Sequence, residues 1–242
     1  MWPFGKKYKL IDIGLLEGGT DCHSHLLWGV DDGIKTLEDT LACLHLMEEA
    51  GIQHQWLTPH IMEDMPNREE DLKVRFQHVC EAYAAEAKPG HRQVTLHLGA
   101  EYMMDNLFSE RLESTPLLTT YESETVLVET STVFPPLNMD EIFVRIKEKG
   151  YRPILAHPER YIYMKESDYK DLYFKGILLQ LNLPSLLGSY GDMEKAKAEW
   201  LLDHGMYYTF GTDTHRVKQL ELTLYKKCLS EKVVEQLLNL KR

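Results

Sequence analysis

The sequence predicts an α/β fold in which parallel strands alternate with helices and close into a β/α barrel. Three observations carry this expectation. Short apolar runs of strand length alternate with amphipathic segments of helix length along most of the 242 residues. Seven such runs can be counted, and six of them end in His, Asp or Glu. In β/α barrels the C-terminal strand ends gather ligands and catalytic groups, and polar side chains there are costly unless something pairs with them.

The first run, Asp21-Cys22-His23-Ser24-His25, follows Gly18-Gly19-Thr20. Side chains two apart on a strand share a face, so His23 and His25 can meet one metal ion while Cys22 and Ser24 turn away. Thr36 is placed to cap a helix whose apolar positions are Leu37, Leu41, Leu44 and Met47, with Gly51 as its stop. Gln55 to His60 is the next strand. A polar helix over 69–87 ends at Lys88-Pro89-Gly90. Val94 to Glu101 alternates, with Leu96, Leu98 and Ala100 on one face and His97, Gly99 and Glu101 on the other. Residues 102–124 fit no simple strand–helix unit and are expected to cover the mouth of the site. Val126 to Glu129 is a buried strand ending in a carboxylate, followed by a helix over 140–149 stopped by Gly150. Pro153 to His157 and Leu178 to Asn182 are strands five and six, and a helix over 193–203 stops at Gly205. Tyr207 to Phe210 leads into Gly211-Thr212-Asp213-Thr214-His215, and one amphipathic helix is expected over 221–240.

Composition narrows the function. The formal net charge of −11 opposes nucleic-acid binding, which rests on Lys and Arg against phosphates. An acidic protein still binds phosphate where metal ions reverse the local sign. No apolar run reaches the length of a membrane span. The first seven residues lack the apolar stretch of a secretory signal and read as a frayed terminus. Cys22, Cys43, Cys80 and Cys228 form no C-x-x-C pair, as expected of a reducing cytoplasm. A cysteine-based tyrosine phosphatase needs an Arg six residues after its nucleophile. Trp28, Glu49, Glu86 and Val234 stand there instead, so that chemistry is excluded.

Asp21-x-His23-x-His25, Thr58-Pro59-His60, Gly99-Ala100-Glu101, His157-Pro158-Glu159-Arg160-Tyr161 and Gly211-Thr212-Asp213-Thr214-His215 together resemble the PHP (polymerase and histidinol phosphatase) superfamily. Trp28-Gly29-Val30-Asp31-Asp32-Gly33 and the His-Pro-Glu-Arg-Tyr stretch are similar to the CpsB/YwqE-type bacterial tyrosine phosphatases of capsule and exopolysaccharide operons. The resemblance spans residues 20–215, within what is expected to be a single domain over 1–242. It implies a distorted seven-stranded (β/α)7, TIM-like barrel with a C-terminal helix and three divalent metal ions in its mouth. Manganese is the expected ion, with iron or zinc as alternatives. Carried over by motif, His23, His25, Glu101 and Asp213 hold the first ion. Glu101 bridges to a second, shared with Glu129 and His157, while Asp32, His60 and His215 hold the third.

Five histidines and four carboxylates form a mixed nitrogen and oxygen shell suited to Mn, Fe or Zn rather than Ca or Mg alone. Four negative ligands against three divalent cations leave a charge of about +2, ready for a phosphate dianion. The resemblance further implies that Arg160 holds the phosphoryl oxygens while metal-activated water attacks phosphorus. A tyrosyl oxygen, with a phenol pKa of about 10, needs no dedicated acid to leave. Relatives tend to carry a second Arg several residues beyond the last His motif. Here Arg216 follows His215 directly and either takes that task or faces solvent. Ile61 stands where relatives often place an Arg.

Other residues carry plainer readings. His45, His54, His78, His91, His97 and His204 fit no motif, although His97 shares a strand face with Glu101. Asp31-Asp32-Gly33 is also a turn sequence, and Asp32 is preferred by register with the family. Glu159 is expected to orient His157 or Arg160. Tyr161, Tyr163, Tyr169 and Tyr173 either line an aryl-phosphate pocket or pack a half-exposed helix or loop. The expected function is a protein-tyrosine phosphatase acting on the tail of a bacterial tyrosine kinase. A small-molecule phosphomonoesterase such as a histidinol phosphatase is the alternative. A metal-stabilised regulator without activity is the reading from another class.

Overall fold

The computed structural model describes residues 5–87, 89–90, 92–114 and 116–240. In chain order its elements are β1 (Lys7–Tyr8), β2 (Thr20–Asp21), α1 (Leu37–Glu49), β3 (His54–Leu57), β4 (His60–Ile61), α2 (Glu69–Ala85), β5 (Thr95–Leu98), β6 (Glu101–Met103), α3 (Phe108–Ser114) and β7 (Thr125–Glu129). They continue with α4 (Met139–Glu148), β8 (Arg152–Ala156), α5 (Glu166–Phe174), β9 (Leu178–Asn182), α6 (Leu183–Leu186), α7 (Asp192–Asp203), β10 (Thr209–Gly211), α8 (Val217–Tyr225), β11 (Leu229–Ser230) and α9 (Glu231–Leu240). Thr36 caps α1 as its sequence suggests, its hydroxyl accepting from Asp39 N at 3.2 Å.

The sheets are parallel where the site lies. One is six-stranded in the order β10-β9-β8-β7-β6-β4, the other three-stranded in the order β2-β3-β5. The expected count of seven strands is altered because two runs are interrupted. The run 54–61 divides into β3 and β4 at Thr58-Pro59, where Pro59 has no N–H to give and Thr58 N turns to Ser24 O at 2.7 Å. The run 95–103 divides into β5 and β6 at Gly99-Ala100 beside it. Backbone bonds then join the segment after β10 to the segment after β2: Asp213 N donates to His23 O at 2.9 Å, His25 N donates to Thr214 O at 3.0 Å, and Ser24 bridges Thr214.

Period-two alternation sorts the central strands, which are buried on both faces. Val126, Val128, Leu155, Leu179 and Leu181 join the main core beneath the helices, while Leu127, Ile154 and Ala156 form a small separate cluster on the other face. That inner face leads upward to the polar strand ends.

Several expectations are corrected. The described residues of the span 102–124, expected to cover the mouth, instead supply most of β6 and all of α3. The helix expected over 221–240 is two helices. Lys226 is extended at φ −68, ψ 119, and residues 229–230 pair antiparallel with Lys7–Tyr8, burying Leu229. This pairing also corrects the frayed reading of the N-terminal segment as far as Lys7–Tyr8, while Met1 to Phe4 lie outside the described residues. The polar helix ends at Ala85, and Lys88 of its expected stop lies outside the described residues. Among the described residues, no helix is long and apolar enough to cross a membrane.

Buried Asp21 clasps the first strand to the last. Its oxygens accept from Thr212 N at 2.9 Å, Thr212 Oγ1 at 2.6 Å and Gln55 Nε2 at 2.9 Å. Burial raises its pKa despite these donors. Asp21→Ala strands those donors in the interior and is expected to destabilise the fold by about 2–4 kcal/mol, read from the urea midpoint. A loss under about 0.5 kcal/mol, the level of an ordinary surface change, would refute the clasp.

Candidate metal centre

Strand register delivers the polar ends to one place. Glu101 lies opposite Leu127, and Glu129, two residues further along β7, shares its inward face. His23 and His25 follow β2 with the same two-residue spacing. Their Nε2 atoms stand 3.1 Å apart, and each lies 3.2 Å from Glu101 Oε2. Asp213 Oδ1 is 3.5 and 3.4 Å from the same two nitrogens. His60 Nδ1 lies 3.2 Å from Glu101 Oε2 and 3.0 Å from Glu129 Oε1. Its Nε2 is 3.5 Å from Asp32 Oδ1, and His215 Nε2 is 3.4 Å from that same oxygen. His157 Nε2 is 3.0 Å from Glu101 Oε1 and 3.6 Å from Glu129 Oε2. All nine expected ligands are therefore gathered, and three overlapping groups of them can hold a metal ion: His25, Asp32, His60 and His215; His23, His25 and Glu101; His60, Glu101 and Glu129.

The donor set fits cations. His23 Nδ1 donates to Gln180 Oε1 at 2.7 Å, His25 Nδ1 to Asp31 Oδ2 at 2.8 Å and His215 Nδ1 to the Asp213 carbonyl at 2.9 Å. In the neutral rings these bonds leave each Nε2 lone pair aimed at the centre. Two such lone pairs 3.1 Å apart repel unless something positive lies between them. His157 Nδ1 is buried without a hydrogen-bond partner, and His60 Nδ1, Glu101 Oε2 and Glu129 Oε1 approach at 3.0–3.2 Å without hydrogen-bond geometry, which is rare unless an ion or water completes them.

Electrostatics agree. Burial alone would keep His23 neutral, yet Glu101 and Asp213 raise its pKa to about 8. Burial likewise opposes a charge on His25, but Asp31, Asp213 and Glu101 hold its pKa well above the ordinary value. Burial pushes Glu101 upward, but His23, His60 and His157 bring its carboxyl well below the usual range. Asp213 behaves alike, with burial outweighed by His23, His25 and His215. The His215 side chain beside Asp32 holds that carboxyl low. The cluster therefore draws positive charge onto itself.

Backbone geometry marks the same place. His157 at φ 35 and Asp213 at φ 49 are non-glycine residues in the left-handed region, a cost that clusters at functional sites. Gly211 and Gly33 permit the close approach. A Cβ on Gly211 would lie 2.5 Å from His23 Cβ, and one on Gly33 would lie 2.4 Å from His25 Cβ.

Above the cluster opens a cavity of about 420 Å³, walled by Asp32, His60, Glu101, Glu129, His157, Asp213 and His215, with Arg160, Arg216, Gln219, Ser189 and Tyr190 around them. Arg160 Nη1 donates to Asp213 Oδ2 at 3.0 Å, and its guanidinium lies 4.4 Å from the Tyr190 ring centroid. Arg216 is exposed and reaches the Asp32 carbonyl at 3.5 Å, so it rims the cavity rather than pointing away.

Some expectations fare differently. Asp31 is more than a turn residue: besides His25 it accepts from Gly33 N at 2.9 Å and His60 N at 3.1 Å. Glu159 orients neither His157 nor Arg160. It is buried against Asn182 N at 3.0 Å and Tyr207 Oη at 2.9 Å. His97 lies away from the cluster, 3.0 Å from His54 and stacked on Trp56. Tyr161 and Tyr169 are packing residues whose hydroxyls donate to Ala156 O and Pro158 O. None of the described residues of the span 102–124 walls the cavity.

Three supporting residues escaped sequence reasoning. Gln180 and Asn182, which donates to Asp213 Oδ2 at 2.8 Å, did leave a signal: two amides at two-residue spacing in an apolar strand. Tyr190, on the loop after α6, left none.

Known proteins resemble this chain over most of its length. Residues 19–237 match the family model described as capsular polysaccharide synthesis, CpsB/CapC. The chain is 27% identical over 207 residues to tyrosine-protein phosphatase CpsB of Streptococcus pneumoniae, covering 81% of this chain and 83% of that one. It is 26% identical over 202 residues to tyrosine-protein phosphatase YwqE of Bacillus subtilis (strain 168), covering 82% and 78%. A solved structure from work on YwqE of Bacillus subtilis and CpsB of Streptococcus pneumoniae, described as metal-dependent tyrosine phosphatases, superposes with a TM-score of 0.75 at 23% identity, covering 91% of this chain and 85% of that one. The phosphotriesterase homology protein of Escherichia coli shares the fold more distantly, with a TM-score of 0.50 at 13% identity and coverage of 93% and 92%.

Manganese or zinc at about 100 times its dissociation constant is expected to stabilise the chain by about 2.7 kcal/mol, visible as a rise in Tm. Glu101→Gln should abolish most of that rise. A Tm indifferent to metal and chelator alike would exclude the centre.

Proposed function

This chain belongs to the CpsB/CapC family of capsular polysaccharide synthesis proteins, and from that premise we propose that it is a metal-dependent protein-tyrosine phosphatase. The observation that carries the proposal is the meeting of five buried or half-buried histidines and four carboxylates under a cavity edged by Arg160 and Arg216. We read the curled sheets as a distorted barrel of seven strand positions, and residues 1–242 as one phosphatase domain.

His23, His25, Glu101 and Asp213 would hold one ion. Glu101, Glu129 and His157 would hold a second, and Asp32, His60 and His215 a third, manganese being the ion we favour. When bound, divalent ions supply a nucleophile from water and offset the phosphoryl charge. The chain's own residues do the rest. Gln180 and Asp31 fix the orientation of His23 and His25, so both present Nε2 inward. Arg160, held by Asp213 and stacked on Tyr190, presents its planar guanidinium to phosphoryl oxygens. Arg216, exposed at the rim, contributes a weaker contact. Burial pushes the Tyr190 pKa up to about 12, so its hydroxyl stays protonated beside Asn182. The tyrosyl oxygen leaves as a phenolate and takes no proton from the chain. In this reading the substrate is the phosphorylated tail of a cytoplasmic tyrosine kinase governing capsule or exopolysaccharide synthesis.

With manganese present, a phosphotyrosine peptide should be hydrolysed faster than an alkyl ester such as histidinol phosphate. Arg160→Ala should lower kcat/KM by about 10²- to 10³-fold while metal content is retained, and Arg216→Ala by about tenfold or less. Full activity in excess chelator would overturn the mechanism. Preference for the alkyl ester would favour the small-molecule phosphomonoesterase.

A further inference from the structure

The loop between β7 and α4 leaves Val133, Phe134 and Leu137 in water, at exposures of 44, 73 and 108%. Beside it lies a groove of about 560 Å³ whose apolar wall is Met103, Met104, Phe134, Pro135 and Leu137 and whose polar groups include Asn106 and Asn138. The groove adjoins the metal cavity through one strand end. Met103 pairs in register with Glu129, and Met104 N donates to Glu129 O at 2.9 Å. Two residues past Glu129, Ser131 is already part of the groove. The loop is tethered by Ile162 N donating to Thr132 O at 2.9 Å and by Thr130 Oγ1 2.6 Å from Tyr163 Oη. Pro135 and Pro136 limit its backbone further, so the surface is shaped before anything binds.

We propose that this groove binds the polypeptide flanking the phosphotyrosine, seating an apolar side chain one or two residues away against Phe134 and Leu137. The inference rests on the phosphatase reading and adds a substrate preference to it. The groove's chemistry selects this occupant. Apolar wall and amide side chains together suit a peptide, which brings side chains and backbone hydrogen bonds at once. No Lys or Arg lines the groove among the described residues, and its acid, Asp105, is already paired with Arg111 at 2.8 Å, so it is not a second phosphate site. A net charge of −11 disfavours an anionic membrane surface. A stable dimer needs about 20 residues on each side, whereas this loop exposes only Val133, Phe134 and Leu137 as large apolar residues.

The test uses the manganese-loaded full chain, phenyl phosphate, and two phosphotyrosine peptides differing only in Leu or Ser beside the phosphotyrosine. Phe134→Ser and Leu137→Ser alter exposed side chains and should leave the urea midpoint in place. The double variant should lose about tenfold in kcat/KM on the Leu peptide, chiefly through KM, with phenyl phosphate and the Ser peptide unchanged. Equal loss on all three substrates, or no loss on any, overturns the proposal while leaving the phosphatase reading intact. A parent that sediments as a dimer, with variants that sediment as monomers, would assign the face to a second copy and overturn it as well. A parent inert toward every ester sinks the phosphatase reading and this proposal with it.

Discussion

The structure depends on keeping five imidazoles and four carboxylates together beneath one cavity. Buried imidazole lone pairs and carboxylate oxygens repel when brought within 3–4 Å of their own kind, and burying them costs several kcal/mol without partners. Here the His23 and His25 Nε2 atoms face each other across 3.1 Å, with Glu101 and Asp213 beside both. Bound cations would turn this concentration of donors from a liability into an attraction.

Much of the fold serves to hold the donors in place. Asp21 ties Thr212 to Gln55, and backbone bonds from Asp213 and Thr214 to His23 and His25 keep the first and last strands together. Gln180 and Asp31 set the imidazole orientations from behind. The left-handed backbone at His157 and Asp213 stores a cost that only this surrounding network can sustain. Such a site is stiff beneath and open above, which suits a reaction that proceeds by positioning and charge stabilisation.

The surfaces around the mouth divide the labour. Arg160 and Arg216 lie on the side built from residues 157–160 and 213–216 and give that rim its positive charge. Among the described residues, the opposite rim, past Glu129, is lined by no Lys or Arg and instead shows apolar side chains on a proline-stiffened loop. Charged and apolar surfaces thus fall on different strand ends of one scaffold, as β/α architectures allow.

The sequence by itself determined the parallel α/β class and the order of most strands and helices, and its resemblance to a family pointed to the nine side chains that meet. Strand period and strand-end polarity are local properties, so they are written in the order of residues. His23 and His25 share a face because they are two apart, whatever lies around them. Tertiary structure alone decided the rest. Lys226 stops a helix because residues 229–230 find a partner strand in Lys7–Tyr8, far away in the chain. Asp31 became a support for His25 and His60, and Glu159 turned into the core against Tyr207, although both stand within motifs. Tyr190 reached Arg160 from a loop with no pattern of its own. Apart from the local Asp31–His25 bond, each of these outcomes is a contact between residues distant in sequence, whose energy depends on which neighbour the completed fold supplies.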